Sequence, residues 1–112
     1  LVTSCPICYR IFRQHYNLKG IEVLHHTQYI DRLIQDGRIT VRYTPIRASY
    51  HDPCDLGRGC GVYQAPRRVI NAICDLDEAA ESGKSSLCCG AWPIRCWASA
   101  SVGTSRRMPL PV

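Results

Sequence analysis

The sequence predicts an α/β fold: a mostly parallel sheet flanked by helices, followed by an irregular C-terminal tail. Three observations carry that prediction. Short extended stretches rich in β-branched and aromatic residues alternate with amphipathic ones, and the order runs strand, helix, strand, helix, strand, helix, the pattern of crossover units. Cysteines fall just after two of the extended stretches, at Cys5 with Cys8 and at Cys54. Open α/β sheets gather their chemistry at those carboxyl ends.

Each element follows from local pattern. Residues 1–4 read as the end of a strand. In 8–16 the side chains Tyr9, Ile11, Phe12 and Tyr16 recur near helical spacing, and Asn17, Leu18, Lys19 and Gly20 supply the exit signal. Residues 21–24 form a short strand, and the adjacent His25 and His26, if extended, face opposite sides. The segment 27–35 places Tyr29, Ile30, Leu33 and Ile34 on one helical face, with Thr27 as its N-cap and Asp36 with Gly37 as its stop. Residues 39–43 and 48–50 read as extended, separated by a turn at Pro45. Pro66 suits the first turn of a helix whose apolar face is Val69, Ile70 and Ile73, and Cys74 continues that face as a packing residue.

At 112 residues the chain has room for one modest domain. A domain of this size buries a smaller share of its surface and gains from a cofactor or partner. Eight cysteines suit either a disulfide framework or metal ligation. With no signal peptide and no apolar run long enough to span a bilayer, the expected compartment is the reducing cytoplasm and the thiols are read as ligands. The opening at Leu1 rather than a methionine reads as a piece cut from something longer. The net charge of +5 is spread over separate stretches around Arg10, Arg13, Arg67, Arg68, Arg106 and Arg107, without the interleaved aromatics of a single-strand reader, so no nucleic-acid partner is expected. Gly57, Gly59 and Gly61 lack the later glycine of the dinucleotide fingerprint.

The most telling feature is Cys88 beside Cys89, followed by Gly90, with Cys54 upstream in His51, Asp52, Pro53, Cys54. A disulfide between neighbours closes a strained ring, whereas adjacent thiolates suit different irons of one cluster. Soft thiolates select iron–sulfur clusters or zinc. Cys5, Pro6, Ile7, Cys8 at the start of a helix also suits a redox dithiol, because the helix N-terminus favours a thiolate. Cys60 sits between glycines near Cys54 and is either a loop thiol or close to the same centre, and Cys96 stands alone.

Three stretches carry a family resemblance: Tyr50 to Gly59, Tyr63 to Arg67, and Ser86, Leu87, Cys88, Cys89, Gly90. They resemble the cysteine-rich CCG domain family, which includes catalytic subunits of heterodisulfide reductases. Its pattern is a cysteine, a long gap, Cys-Cys-Gly, a further gap and Cys-x-x-Cys, commonly twice in one chain. The resemblance implies that Cys54, Cys88 and Cys89 ligate a noncubane 4Fe-4S cluster. It further implies that Cys5 and Cys8 close the set of a neighbouring copy. His51, just before Cys54 at the edge of such a cluster, is read either as a hydrogen-bond or proton donor there or as a structural cap of the loop. It implies iron–sulfur electron transfer or disulfide reduction, with electrons arriving from a flavin- or ferredoxin-type partner subunit. A zinc-stabilised α/β module and a metal-free dithiol oxidoreductase remain the alternatives. The likeness covers residues 1–91, a partial cysteine-rich domain. The segment 92–112 departs from the pattern, lacks the closing Cys-x-x-Cys, and is expected to be an irregular, poorly ordered tail.

Overall fold

A computed structural model describes residues 1–88 and 101–102. The chain is α/β, built on two crossover units that each return to a parallel neighbour. Strand β1 (Val2–Thr3) leads through helix α1 (Pro6–Gln14) to β2 (Leu24–His25), with Val2 opposite Leu24 and Thr3 opposite His25. Helix α2 (His26–Gln35) then crosses to β3 (Arg47–Ser49), helix α3 (Gln64–Ile73) follows, and β4 (Asp75–Asp77) lies parallel to β3. Of the segment 92–112, only β5 (Ser101–Val102) is described, and it pairs antiparallel with β3. The rest of the expected tail, with Cys96, lies outside the described residues.

The helices start where caps permit. Cys5 is the N-cap of α1 and Pro6 takes the first helical position, where its missing N–H costs nothing. α2 starts earlier than its periodicity suggests. His25 rather than Thr27 is the cap, and Gln28 Oε1 accepts the His25 backbone N–H at 3.0 Å. The consequence is a correction to the histidine pair: His26 has already entered the helix, so the two rings lie 4.3 Å apart instead of on opposite faces. A second correction concerns 39–43, which forms no strand. The described residues offer it no ladder partner, and Ile39 and Tyr43 stay exposed.

Two small cores hold the elements together. Tyr9 from α1 packs with Leu56, Val62 and Ala65, joined by the partly buried Val23 and Cys60. Ala48 and Tyr50 pack with Ile70, Cys74 and the partly buried Leu76, which makes Cys74 a packing thiol. α2 and α3 are further linked by Arg68, whose Nε donates to both Asp31 carboxylate oxygens at 3.0 Å. Among the described residues no helix is long and apolar enough to cross a membrane.

His25 is fully buried at the seam of β1, β2 and α1. Its Nε2 lies 3.2 Å from the Ser4 carbonyl, which can only accept, so Nε2 carries the proton and Nδ1 accepts from the Thr27 hydroxyl at 2.8 Å. Burial, then the neighbouring His26, push its pKa down to about 4, so the ring is neutral at pH 7. Below about pH 6.5 the unfolded chain binds a proton that the folded chain refuses, and stability falls as pH drops towards 4. The loss is up to ~3 kcal/mol. Thermal melts of the parent and of His25→Gln between pH 7 and 5 check this, and the variant is expected to show the smaller pH dependence.

Candidate functional site

The stretch after β3 carries the proposed ligand Cys54 in a tightly wound loop. Pro53 and Cys54 offer carbonyls to Gly57 and Gly59 N–H groups, each at 2.8 Å. A Cβ on Gly59 would stand 2.6 Å from the Asp55 carbonyl oxygen, so no larger residue fits there without moving backbone. That close approach accounts for Gly59, and the positive φ of 72° accounts for Gly61. Leu56, fully buried against Tyr9, anchors the loop to α1. Two polar links reinforce it: Arg10 Nη1 donates to Asp55 Oδ1 at 2.8 Å, and Gln14 Nε2 donates to the Gly59 carbonyl at 3.1 Å. Cys54 is half-buried, with its Sγ 4.0 Å from Asp55 Oδ2.

A buried carboxylate joins this loop to the segment that ends at Cys88. Asp52 is 1% exposed, and Arg67 on α3 meets it with two parallel bonds, Nη1 to Oδ1 at 2.8 Å and Nη2 to Oδ2 at 2.7 Å. The same carboxylate accepts the Gly83 backbone N–H at 2.7 Å, at the start of the 3-10 turn Gly83–Ser85. Arg67 also reaches Glu78 past the end of β4 through Nε, at 2.5 Å. Burial pushes the Asp52 pKa up, but the Arg67 bonds and the Gly83 N–H outweigh it and hold the carboxyl below its ordinary value. Arg58, from the cysteine loop itself, donates to the Ser86 carbonyl and, at 3.1 Å, to Ser86 Oγ. Ser86 Oγ in turn donates to the Asp52 carbonyl at 3.4 Å. Asp52, Arg58 and Ser86 therefore lock the Cys54 loop to the stretch of chain two residues before Cys88.

Cys88 is exposed and Cys89 lies outside the described residues. His51 is exposed beside Asp52, at the entrance to the loop. Cys60 is partly buried against the Tyr9 core, and burial first of all raises its thiol pKa. Among the described residues, no three His, Cys, Asp or Glu side chains converge as a metal site. Among the described residues, Cys54 and Cys88 offer sulfur, the kind of donor that an iron–sulfur cluster takes.

Cys5 and Cys8 form a pair of their own at the N-terminus of α1. The Cys8 backbone N–H donates to Cys5 Sγ at 3.4 Å, and the Cys8 thiol adds a second bond; together they lower the Cys5 pKa, while the Cys5 thiolate raises that of Cys8. At neutral pH Cys5 is therefore expected to alkylate faster than Cys8. Timed iodoacetamide labelling with peptide mapping checks this, and equal rates would contradict the assignment.

Sequence reasoning did not single out Asp52 and Arg67 as partners, although both lie inside the stretches that carry the family resemblance. The available signal was an aspartate beside a proline and a cysteine, in a segment otherwise bound for burial.

Comparison with known proteins gives a consistent set of relatives. The chain is 43% identical over 97 residues to a dihydromethanophenazine:CoB–CoM heterodisulfide reductase subunit of Methanosarcina barkeri, covering 79% of this chain and 24% of that one. It is 33% identical over 109 residues to the probable iron–sulfur-binding oxidoreductase FadF of Bacillus subtilis, covering 92% of this chain and 15% of that one. The EtfAB:quinone oxidoreductase of Syntrophomonas wolfei is 33% identical over 104 residues, 87% of this chain and 14% of that one. The chain thus spans between about a seventh and a quarter of these relatives. No family model and no solved structure matches it.

Proposed function

We propose that this chain, homologous over most of its length to iron–sulfur oxidoreductases and to a heterodisulfide reductase subunit, supplies thiolate ligands to an iron–sulfur cluster. The role is that of part of an electron-transfer or disulfide-reducing subunit. The single observation that supports this best is the Asp52, Arg58 and Ser86 lock, which draws the Cys54 loop and the approach to Cys88 together. Cys54, Cys88 and Cys89 are the ligands of a noncubane 4Fe-4S site within a cysteine-rich domain of residues 1–91, and Cys5 and Cys8 are ligands of the neighbouring set. When bound, such a cluster supplies one-electron chemistry at sulfur.

The chain's own residues hold, orient and protonate. The glycine turns shape the approach to Cys54. His51 donates a hydrogen bond or a proton at the entrance to the loop. Nothing in the glycine pattern offers a nucleotide cradle, so electrons come from a flavin- or ferredoxin-type partner subunit, in the cytoplasm. Because the relatives are several times longer, their whole activity belongs to a larger polypeptide or assembly.

A second reading rests on a separate observation. Cys5 at a helix N-cap, with its thiol pKa lowered and that of Cys8 raised, is the arrangement of a dithiol that attacks a disulfide and is then resolved by its partner. A structural zinc site is the other alternative.

Anaerobic reconstitution followed by iron, sulfide and zinc quantification tests the proposal. Iron and sulfide in near-equal, stoichiometric amounts are expected. Zinc alone would replace the proposal with a structural site, and no metal at all would favour the dithiol.

A further inference from the structure

Helix α3 carries two adjacent arginines that do different work. Successive helical residues point roughly 100° apart, so Arg67 and Arg68 leave the helix in different directions. Arg68 turns to Asp31 on α2, where Nη2 lies 2.5 Å from Oδ2, a link between two helices away from the cysteine loop. Arg67 turns to Asp52, two residues before Cys54, and its side chain is only 13% exposed. Asp52 thereby ties three separate stretches together. It is part of the cysteine loop, it accepts from α3, and it accepts from Gly83 on the way to Cys88.

Resting on the iron–sulfur reading above, we infer that Arg67 is a positioning residue: by clamping Asp52 in two-point geometry it fixes the separation of Cys54 from Cys88. The guanidinium fork is what makes this possible. Its two parallel bonds fix the carboxylate plane, and its Nε holds Glu78 at the same time. A lysine keeps the charge and loses the fork, so Arg67→Lys leaves the buried carboxylate with a cation but frees its orientation. The Gly83 N–H then follows a carboxylate that can rotate, and the approach to Cys88 loosens with it. Arg68→Lys removes a fork of similar kind and leaves the cysteine loop untouched.

The test reads thiol geometry in the metal-free, reduced chain of residues 1–112. A short bis-maleimide is added, and the bridged peptide joining Cys54 to Cys88 is quantified by mass spectrometry in the parent, Arg67→Lys, Asp52→Asn and Arg68→Lys. Circular dichroism at the labelling temperature verifies that each is folded, and Arg67→Lys carries the test if Asp52→Asn is not. The expected result is a drop of about fivefold in bridging for Arg67→Lys, the shift that an energy change of about 1 kcal/mol produces, with Arg68→Lys bridging like the parent. Equal bridging in Arg67→Lys and the parent, an equal drop in Arg68→Lys, or no bridge in the parent would overturn the positioning role. A parent that bridges as expected yet takes up no iron would overturn the iron–sulfur reading and leave the positioning role standing.

Discussion

Asp52→Ala is expected to destabilise the folded chain by about 3 kcal/mol, the lower end of the cost of breaking a buried ion pair. The change strips two bonds from Arg67 and one from the Gly83 N–H, and it leaves the guanidinium, mostly shielded from water, with Glu78 as its one carboxylate partner among the described residues and the Tyr63 carbonyl as a neutral one. Glu78 is 40% exposed and compensates only in part, because water competes for it. The Asp52 carboxyl is held below its ordinary pKa in the folded chain, so its contribution is complete above the unfolded carboxylate value and is lost as pH falls through the folded one. Urea unfolding at pH 7 should show the full loss in the variant. At pH 3 and below the difference between parent and variant should shrink. A variant as stable as the parent at pH 7 would mean that the pair contributes nothing net.

Tyr9→Ala is expected to cost about 3–5 kcal/mol, the range for truncating a large buried aromatic side chain. Tyr9 is 1% exposed and packs against Leu56, Val62 and Ala65, so it is the plug between α1 and the loop that carries Cys54. Its ring meets His25 edge-on at 6.0 Å, and its hydroxyl accepts from Arg13 Nη1 at 2.9 Å. Tyr9→Phe keeps the packing and loses one partly exposed hydrogen bond, and should cost no more than about 1 kcal/mol. Denaturation midpoints for the two variants separate packing from the hydroxyl. Equal effects would assign the stability to the polar link.

These two side chains mark where the sequence was legible and where it was not. The helices α1, α2 and α3 follow from apolar spacing, and their order with the short strands is the order the alternation suggested. Tyr9 could be placed on an apolar face, but its packing partners Leu56, Val62 and Ala65 come from a distant loop and a third helix, and no local pattern names them. The segment 39–43 shows how an alternating pattern misleads. Ile39, Val41 and Tyr43 have strand spacing, yet a strand needs a neighbour for its backbone groups and the described residues offer none. His25 and His26 show the reverse case, where a boundary displaced by two residues turned a pair on opposite faces into a pair in contact.

The candidate site divides in the same way. Cys5, Cys8, Cys54, Cys88 and Cys89 stand out by residue type and spacing, which is how candidate thiol ligands declare themselves in one dimension. The lock that organises two of their segments does not. Arg67 and Asp52 lie 15 positions apart in different elements, and Arg67 and Arg68 are indistinguishable until the helix fixes the direction of each. A buried ion pair is a property of tertiary placement and has no sequence period of its own.

The visible and paramagnetic-resonance spectra of the anaerobically reconstituted chain, measured beside Cys88→Ser and Cys89→Ser, test the central claim most directly. The account predicts an iron–sulfur spectrum in the parent that is lost in both variants. A parent without that spectrum, or one whose spectrum both variants retain unchanged, would contradict it.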